Sequence, residues 1–216
     1  MLPQSLSPAE TRVLGALVEK ELSTPDHYPL SLNALIAACN QTTNREPVTA
    51  YDAGAVTAAI TTLRRASLVR SFQGIGERVP KYQHLLAESE GLSRAEVAAL
   101  GVLLLRGPQT MSELRTRATR LFSDDDVGGV EAALEALMSR TPAPAAVRLE
   151  RRPGQKEVRY AHLLAGDVVY DVDDAVVSPP PVSPDRLAAL EEHVQELRTE
   201  VADLRAQLAT FRRQFD

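Results

Sequence analysis

Residues 6–17 read LSPAETRVLGAL and residues 92–103 read LSRAEVAALGVL, identical at seven of twelve positions at an offset of 86. Residues 81–87, KYQHLLA, return as RYAHLLA at 159–165, at an offset of 78. Each copy therefore opens and closes alike, and the second is shorter inside by 86 − 78 = 8 residues. Such a chain folds as a tandem duplication, roughly residues 6–88 and 92–166, and every later assignment has to fit both copies.

Within a copy the order of elements is readable. Ser7-Pro8-Ala9-Glu10 and Ser93-Arg94-Ala95-Glu96 are capping boxes, and Pro8 suits a first helical position, where its missing N–H does no harm. Leu14, Leu17, Val18 and Leu22 then make one apolar face at helical spacing. A loop follows, TPDHYPLS in the first copy and GPQ in the second, and then a short helix, Ser31 to about Gln41 or Thr110 to about Phe122. Third helices are expected over Asp52–Ala66 and about Asp126–Ser139, with Val56, Ile60 and Leu63, or Val130, Leu134, Leu137 and Met138, facing inward. Each copy ends in two strand-like runs around a break: LVRSFQ and KYQHLL across GIGERVP, then AVRLERR and VRYAHLL across PGQKE. Each pair reads as a hairpin. Helix, helix, helix, hairpin is the order of a winged helix-turn-helix. The expected fold is mainly α with small β-hairpins: two tandem winged helix-turn-helix domains, 1–90 and 91–166, plus a C-terminal coiled-coil helix.

The rest of the chain differs in kind. Residues 167–185 are acidic and then proline-rich, a linker composition. Over 186–216, Leu187, Leu190, Val194, Leu197, Val201, Leu204, Leu208, Phe211 and Phe215 recur in steps of three and four. Val at a with Leu at d favours a parallel dimer, so a homodimer is expected through Leu187–Phe211; a helix folding back onto its own domains is the alternative.

The stretch Tyr28–Val48, YPLSLNALIAACNQTTNREPV, followed by a third helix, a wing and KYQH, resembles the YceH-like family of uncharacterised bacterial proteins. The resemblance covers about residues 6–166 and implies a tandem pair of winged-helix domains. Thr42-Thr43 stands where it would imply a basic or small residue, which counts against a phosphate contact in that loop.

Function is read from charge placement. A net charge of −5 speaks against indiscriminate coating of nucleic acid but allows one basic face. Between residues 31 and 87, six basic residues (Arg45, Arg64, Arg65, Arg70, Arg78, Lys81) stand against three acidic ones (Glu46, Asp52, Glu77). In a winged helix the third helix enters the major groove and the wing touches the backbone. Double-stranded DNA is therefore the expected partner, reached by Asn44, Arg45, Thr57, Thr61, Arg64, Arg65, Gln73 and Arg78. The second copy carries Asp124, Asp125, Asp126, Glu131 and Glu135 around its third helix, good capping and poor phosphate contact, so a protein partner fits it better. The competing reading is an interaction scaffold that binds no DNA.

Enzyme chemistry is not expected. His27, His84, His162 and His193 lack metal-ligand spacing, no HExxH occurs, and GIGERVPK lacks the GK[ST] of a phosphate loop. Cys39, the single cysteine, excludes an intrachain disulfide and reads as a buried structural thiol. No cofactor, metal or membrane span is expected, and the start MLPQSLS has no signal-peptide pattern, so a cytoplasmic location follows. The paired Tyr-x-His stretches fit a strand closing onto a core, with Tyr82 and Tyr160 packed and His84 and His162 on the same side.

Overall fold

Ser7 accepts the Glu10 N–H while the Glu10 carboxylate accepts the Ser7 N–H, and Ser93–Glu96 and Thr110–Glu113 repeat the arrangement. Each box satisfies donors that a helix start leaves orphaned. The computed structural model describes residues 2–3, 5–73, 79–121, 129–151, 155–166 and 168. The first copy contains α1 (Pro8–Ser23), a 3-10 turn (Pro25–His27), β1 (Leu30–Ser31), α2 (Leu32–Cys39), α3 (Ala53–Arg65), β2 (Val69–Phe72), β3 (Lys81–His84) and α4 (Leu86–Glu90). The second contains α5 (Arg94–Arg106), β4 (Gln109–Thr110), α6 (Met111–Ala118), α7 (Gly129–Ser139), β5 (Ala146–Arg148) and β6 (Arg159–His162). The protein is thus mainly helical, with two small antiparallel sheets.

Both expected hairpins form, but each belongs to a three-stranded sheet, ordered β1-β3-β2 and β4-β6-β5. The added strands β1 and β4 were not expected, being two residues long and running straight into a helix cap. Leu30 pairs with Tyr82 and Ser31 with Lys81, while Gln109 pairs with Tyr160 and Thr110 with Arg159. Ser31 and Thr110 each end a strand and cap the next helix. After the hairpin, the Leu85 N–H donates to Leu68 O at 2.8 Å and the Leu163 N–H to Ala145 O at 2.9 Å, the same bond in both copies. The exits then part: the first copy turns into α4, ended by Gly91 at φ +64°, whereas the described residues 163–166 of the second are not helical.

The Tyr-x-His stretches are joints of the fold. His84 is buried, its Nδ1 accepts the Leu86 N–H at 3.3 Å, its Nε2 meets the Glu21 carboxylate, and its backbone N–H donates to Tyr28 Oη at 2.7 Å. His162 has a buried Nδ1 with no hydrogen-bond partner among the described residues. Tyr82 and Tyr160 pack, partly buried, against the core.

The two copies share one apolar core, which includes Leu14 and Leu17 from α1 and Leu100 and Leu103 from α5, all fully buried. Burying each such side chain contributes about 1.5–3 kcal/mol. Where α1 and α5 pack, Gly15 lies against Leu104 and Leu105, and Gly101 against Val18. Since 15 + 86 = 101 and 18 + 86 = 104, the two contacts are one contact made twice, once from each side. Met1–Val168 forms one unit and Val169–Asp216 another. The linker expected over 167–185 and the heptad helix expected over 186–216 lie outside the described residues, Val168 excepted.

Candidate nucleic-acid interface

Helix α3 starts at Asp52, whose carboxylate accepts the Ala55 N–H at 2.7 Å, and it buries Val56, Ala59, Ile60 and Leu63. Thr57, Thr61, Arg64 and Arg65 are left on the exposed side. The helix stops in a Schellman motif: the Leu68 N–H donates to Leu63 O at 2.9 Å and the Ser67 N–H to Arg64 O at 3.0 Å, with Ser67 left-handed at φ 57°. Leu63 and Leu68 are both fully buried beneath it. This stop turns the chain sharply into β2, which projects Arg70 to solvent.

The result is one concave surface lined by Thr61, Arg64, Arg65, Ser67, Arg70 and Ser71. Three guanidinium groups thus stand around small hydroxyls, with no carboxylate in the lining. Among the described residues the acid paired with this surface is Glu88, 4.0 Å from Arg70, and both side chains are more than half exposed, so that pairing is weak. The Thr61 hydroxyl donates back to Thr57 O at 2.9 Å, which leaves its oxygen free to accept. Two cations in the last turn also complement the helix dipole, so Arg64 and Arg65 favour α3 itself.

The eight residues expected from sequence fall into separate groups. Thr61, Arg64 and Arg65 share this surface, and Thr57 lies one turn earlier on the same exposed side. Gln73 is exposed just beyond β2, and Arg78 lies outside the described residues. Arg70, which lines the surface, was counted only in the charge balance; its placement one residue into β2 was the available signal.

Asn44 and Arg45 belong elsewhere. Arg45 was expected at a partner, but it is buried inside the first copy, where its Nη1 and Nη2 bond Glu19 Oε1 and Oε2 at 3.0 and 2.6 Å. Its remaining donors go to Ala38 O, Asn44 O and Gln41 Oε1. No donor is left for DNA. Asn44, at φ 60°, accepts a hydrogen bond from Arg106 of α5, and the Glu46 N–H donates to Leu105 O at 2.9 Å. The polar loop is a joint between the copies.

Buried charge organises this joint. Burial alone would raise the Glu19 carboxyl, but hydrogen bonds from Arg45 and its charge outweigh burial and hold the group below the usual range. Arg12, also buried, donates to Cys39 O, Thr49 Oγ1 and Pro47 O, and burial, then the charge of Arg45, lowers its pKa. Burial pushes the Cys39 thiol up to about 12, so it is inert at neutral pH. In the second copy the positions of Arg12 and Glu19 are Ala98 and Leu105, at the same offset of 86. That copy has an apolar helix where the first has an ionic one.

The third helices diverge too. Val56, Ala59, Ile60 and Leu63 correspond in burial to Val130, Ala133, Leu134 and Leu137 at an offset of 74. At that offset Thr57, Thr61, Arg64 and Arg65 become Glu131, Glu135, Met138 and Ser139. The exposed face of α7 has neither cation and carries two carboxylates instead, one of them paired with Arg115. Among the described residues no metal-binding cluster occurs and no helix is long and apolar enough to cross a membrane.

Comparison with known proteins gives the lineage. Residues 6–155 match a family described as a protein of unknown function, DUF480. The chain is 51% identical to a UPF0502 protein of Azoarcus sp. (strain BH72), over 98% of this chain and 94% of that one. It is 49% identical to a UPF0502 protein of Pelobacter propionicus over 98% of both chains. A UPF0502 protein of Pectobacterium atrosepticum shares 46% identity over 94% of this chain and 96% of its own. The chain therefore belongs to the DUF480 family, the YceH-like group that its Tyr28–Val48 stretch resembles.

Proposed function

We propose that each copy is a winged helix, and that the first binds double-stranded DNA through the surface formed by Thr61, Arg64, Arg65, Ser67, Arg70 and Ser71. The observation that carries this is the gathering of three arginines around hydroxyls at the end of a third helix, together with their replacement in the second copy. Arginine pairs with phosphate through a fixed fork of donors, and hydroxyls accept from base edges or donate to phosphate. Thr57 and Gln73 extend the surface. The protein acts as a non-enzymatic regulator in the cytoplasm, and the heptad sequence from Leu187 to Phe211 supports a homodimer that would present two such surfaces.

A second reading has its own support: Phe72 and Val79, at the two ends of the first hairpin's connection, are 51% and 53% exposed, which suits a protein partner. Fluorescence anisotropy with labelled genomic fragments separates the two readings. DNA binding predicts a salt-sensitive affinity that Arg64→Glu and Arg70→Glu each weaken at least tenfold, with a salt slope shallower by about 1 for each phosphate that is no longer neutralised. An absence of binding to any fragment at low salt rejects DNA and leaves the scaffold reading.

A further inference from the structure

A second arginine cluster lies away from the α3 surface, at the joint between the copies. Arg106 at the end of α5, Arg117 on α6 and Arg120 just after α6 line a half-open cavity of about 70 Å³ together with Glu19, Asn44, Val102, Leu105 and Leu121. Among the described residues Glu113 is the one carboxylate in an ion pair with any of these three arginines. Both oxygens of Glu19 are taken by Arg45, so that carboxylate is already matched. Glu113 lies 3.6 Å from Arg117 Nη2, and its other oxygen accepts from Thr110 in the α6 capping box. Arg117 Nη1 is buried and has no hydrogen-bond partner among the described residues. Burial, and after it the charge of Arg117, lowers the pKa of the Arg106 guanidinium, so the two cations strain against each other.

Three guanidinium groups, one of them with a buried unmet donor, facing a partly apolar hollow form the complement of an oxyanion. We propose that this cavity binds a small free oxyanion, a phosphate or carboxylate group on a short organic body. Arg106, Arg117 and Arg120 hold the charge, and Val102, Leu105 and Leu121 receive the body. About 70 Å³ is several times the roughly 10–15 Å³ that one water needs, room for a compact oxyanion group at the half-open mouth. A duplex backbone fits less well, because the arginines lie around a hollow and not along a ridge. The walls come from both copies, Glu19 and Asn44 from the first and the rest from the second, so an occupant would fasten one copy to the other. The site stands whether or not the α3 surface binds DNA.

The test is thermal unfolding of the full chain with sodium pyrophosphate, or sodium citrate, against sodium chloride at equal ionic strength. Pyrophosphate at about tenfold over its Kd should raise the midpoint by about 3–6 °C beyond the chloride control. Citrate tells whether a carboxylate serves as well as a phosphate. Arg117→Gln should weaken binding at least tenfold, as measured by calorimetric titration. Arg120→Gln, at an exposed position where folding is not at stake, should weaken it less, and Arg148→Gln on β5 should leave it unchanged. The proposal is overturned if neither anion exceeds the chloride control, or if Arg117→Gln and Arg120→Gln bind pyrophosphate like the unaltered protein. It is also overturned if Arg117→Gln affects only the binding of a 20-base-pair duplex.

Discussion

A Cβ built on Gly101 would stand 2.5 Å from Cγ1 of Val18, closer than packed carbon atoms come. Glycine costs roughly 1 kcal/mol against alanine inside a helix, so its presence here reflects the close approach of α1 and α5. Gly101→Ala should therefore lower stability by about 1–3 kcal/mol despite the gain in helix propensity. Gly101→Ala/Val18→Ala should recover part of the loss. Urea unfolding measures both, and a more stable Gly101→Ala protein would contradict the packing.

Arg45 and Glu19 make a buried pair whose members depend on each other. Arg45→Met should cost about 3–5 kcal/mol, because it leaves the Glu19 carboxylate buried without a partner. Glu19→Leu/Arg45→Met should be much milder, since the second copy already places Leu105 at the position of Glu19. A loss in the double variant equal to the sum of the Glu19→Leu and Arg45→Met losses would show that the pair is uncoupled. The lowered Glu19 pKa has a sign: its contribution is present above the unfolded value near 4.5 and fades as pH falls through the lower folded value.

Burial lowers the His162 pKa from 6.5 to about 4. Between those values the unfolded chain takes up a proton that the folded chain refuses, so stability falls as pH drops from 6.5 and levels off below about 4. The loss is at most about 3 kcal/mol at roughly 1.4 kcal/mol per pH unit. Denaturation midpoints at pH 7, 5.5 and 4.5 should fall more steeply for the unaltered protein than for His162→Gln. Parallel curves would remove His162 from the account.

Ser67 carries the left-handed turn that ends α3, at φ 57°. Glycine adopts this conformation without steric cost, so Ser67→Gly should stabilise by about 0.5–1 kcal/mol, whereas Ser67→Val should destabilise. Calorimetry decides, and a lower midpoint for Ser67→Gly would mean that the hydroxyl matters more than the backbone.

Features that depend on neighbours in sequence were legible. The capping boxes at Ser7 and Ser93, the apolar faces of α1 and α3 and the strands of both hairpins rest on spacings of two to four residues, and the duplication repeats the boxes and the hairpins. What was missed needs distant partners. Strand β1 exists because Leu30 meets Tyr82, and nothing within two residues of sequence announces it. Arg45 sits in a run so polar that exposure was the natural inference. The residue that draws it inward is Glu19, 26 positions earlier and itself on a helix that looked merely apolar. Arg70 joined Arg64 and Arg65 only once the turn at Ser67 had set the angle between helix and strand.

Like residues from two like halves, meeting across one helix crossing, have the geometry of a symmetric dimer whose subunits share a single peptide chain. Tethering changes what selection can do with such a pair. Each half always finds the other at a high effective concentration, so assembly no longer depends on expression level or on affinity alone. Freed from having to work in both copies at once, a surface can be abandoned in one half without loss from the other. The arginines of α3 and the glutamates of α7 are two outcomes of that freedom, held together by a pair of glycines that stayed the same.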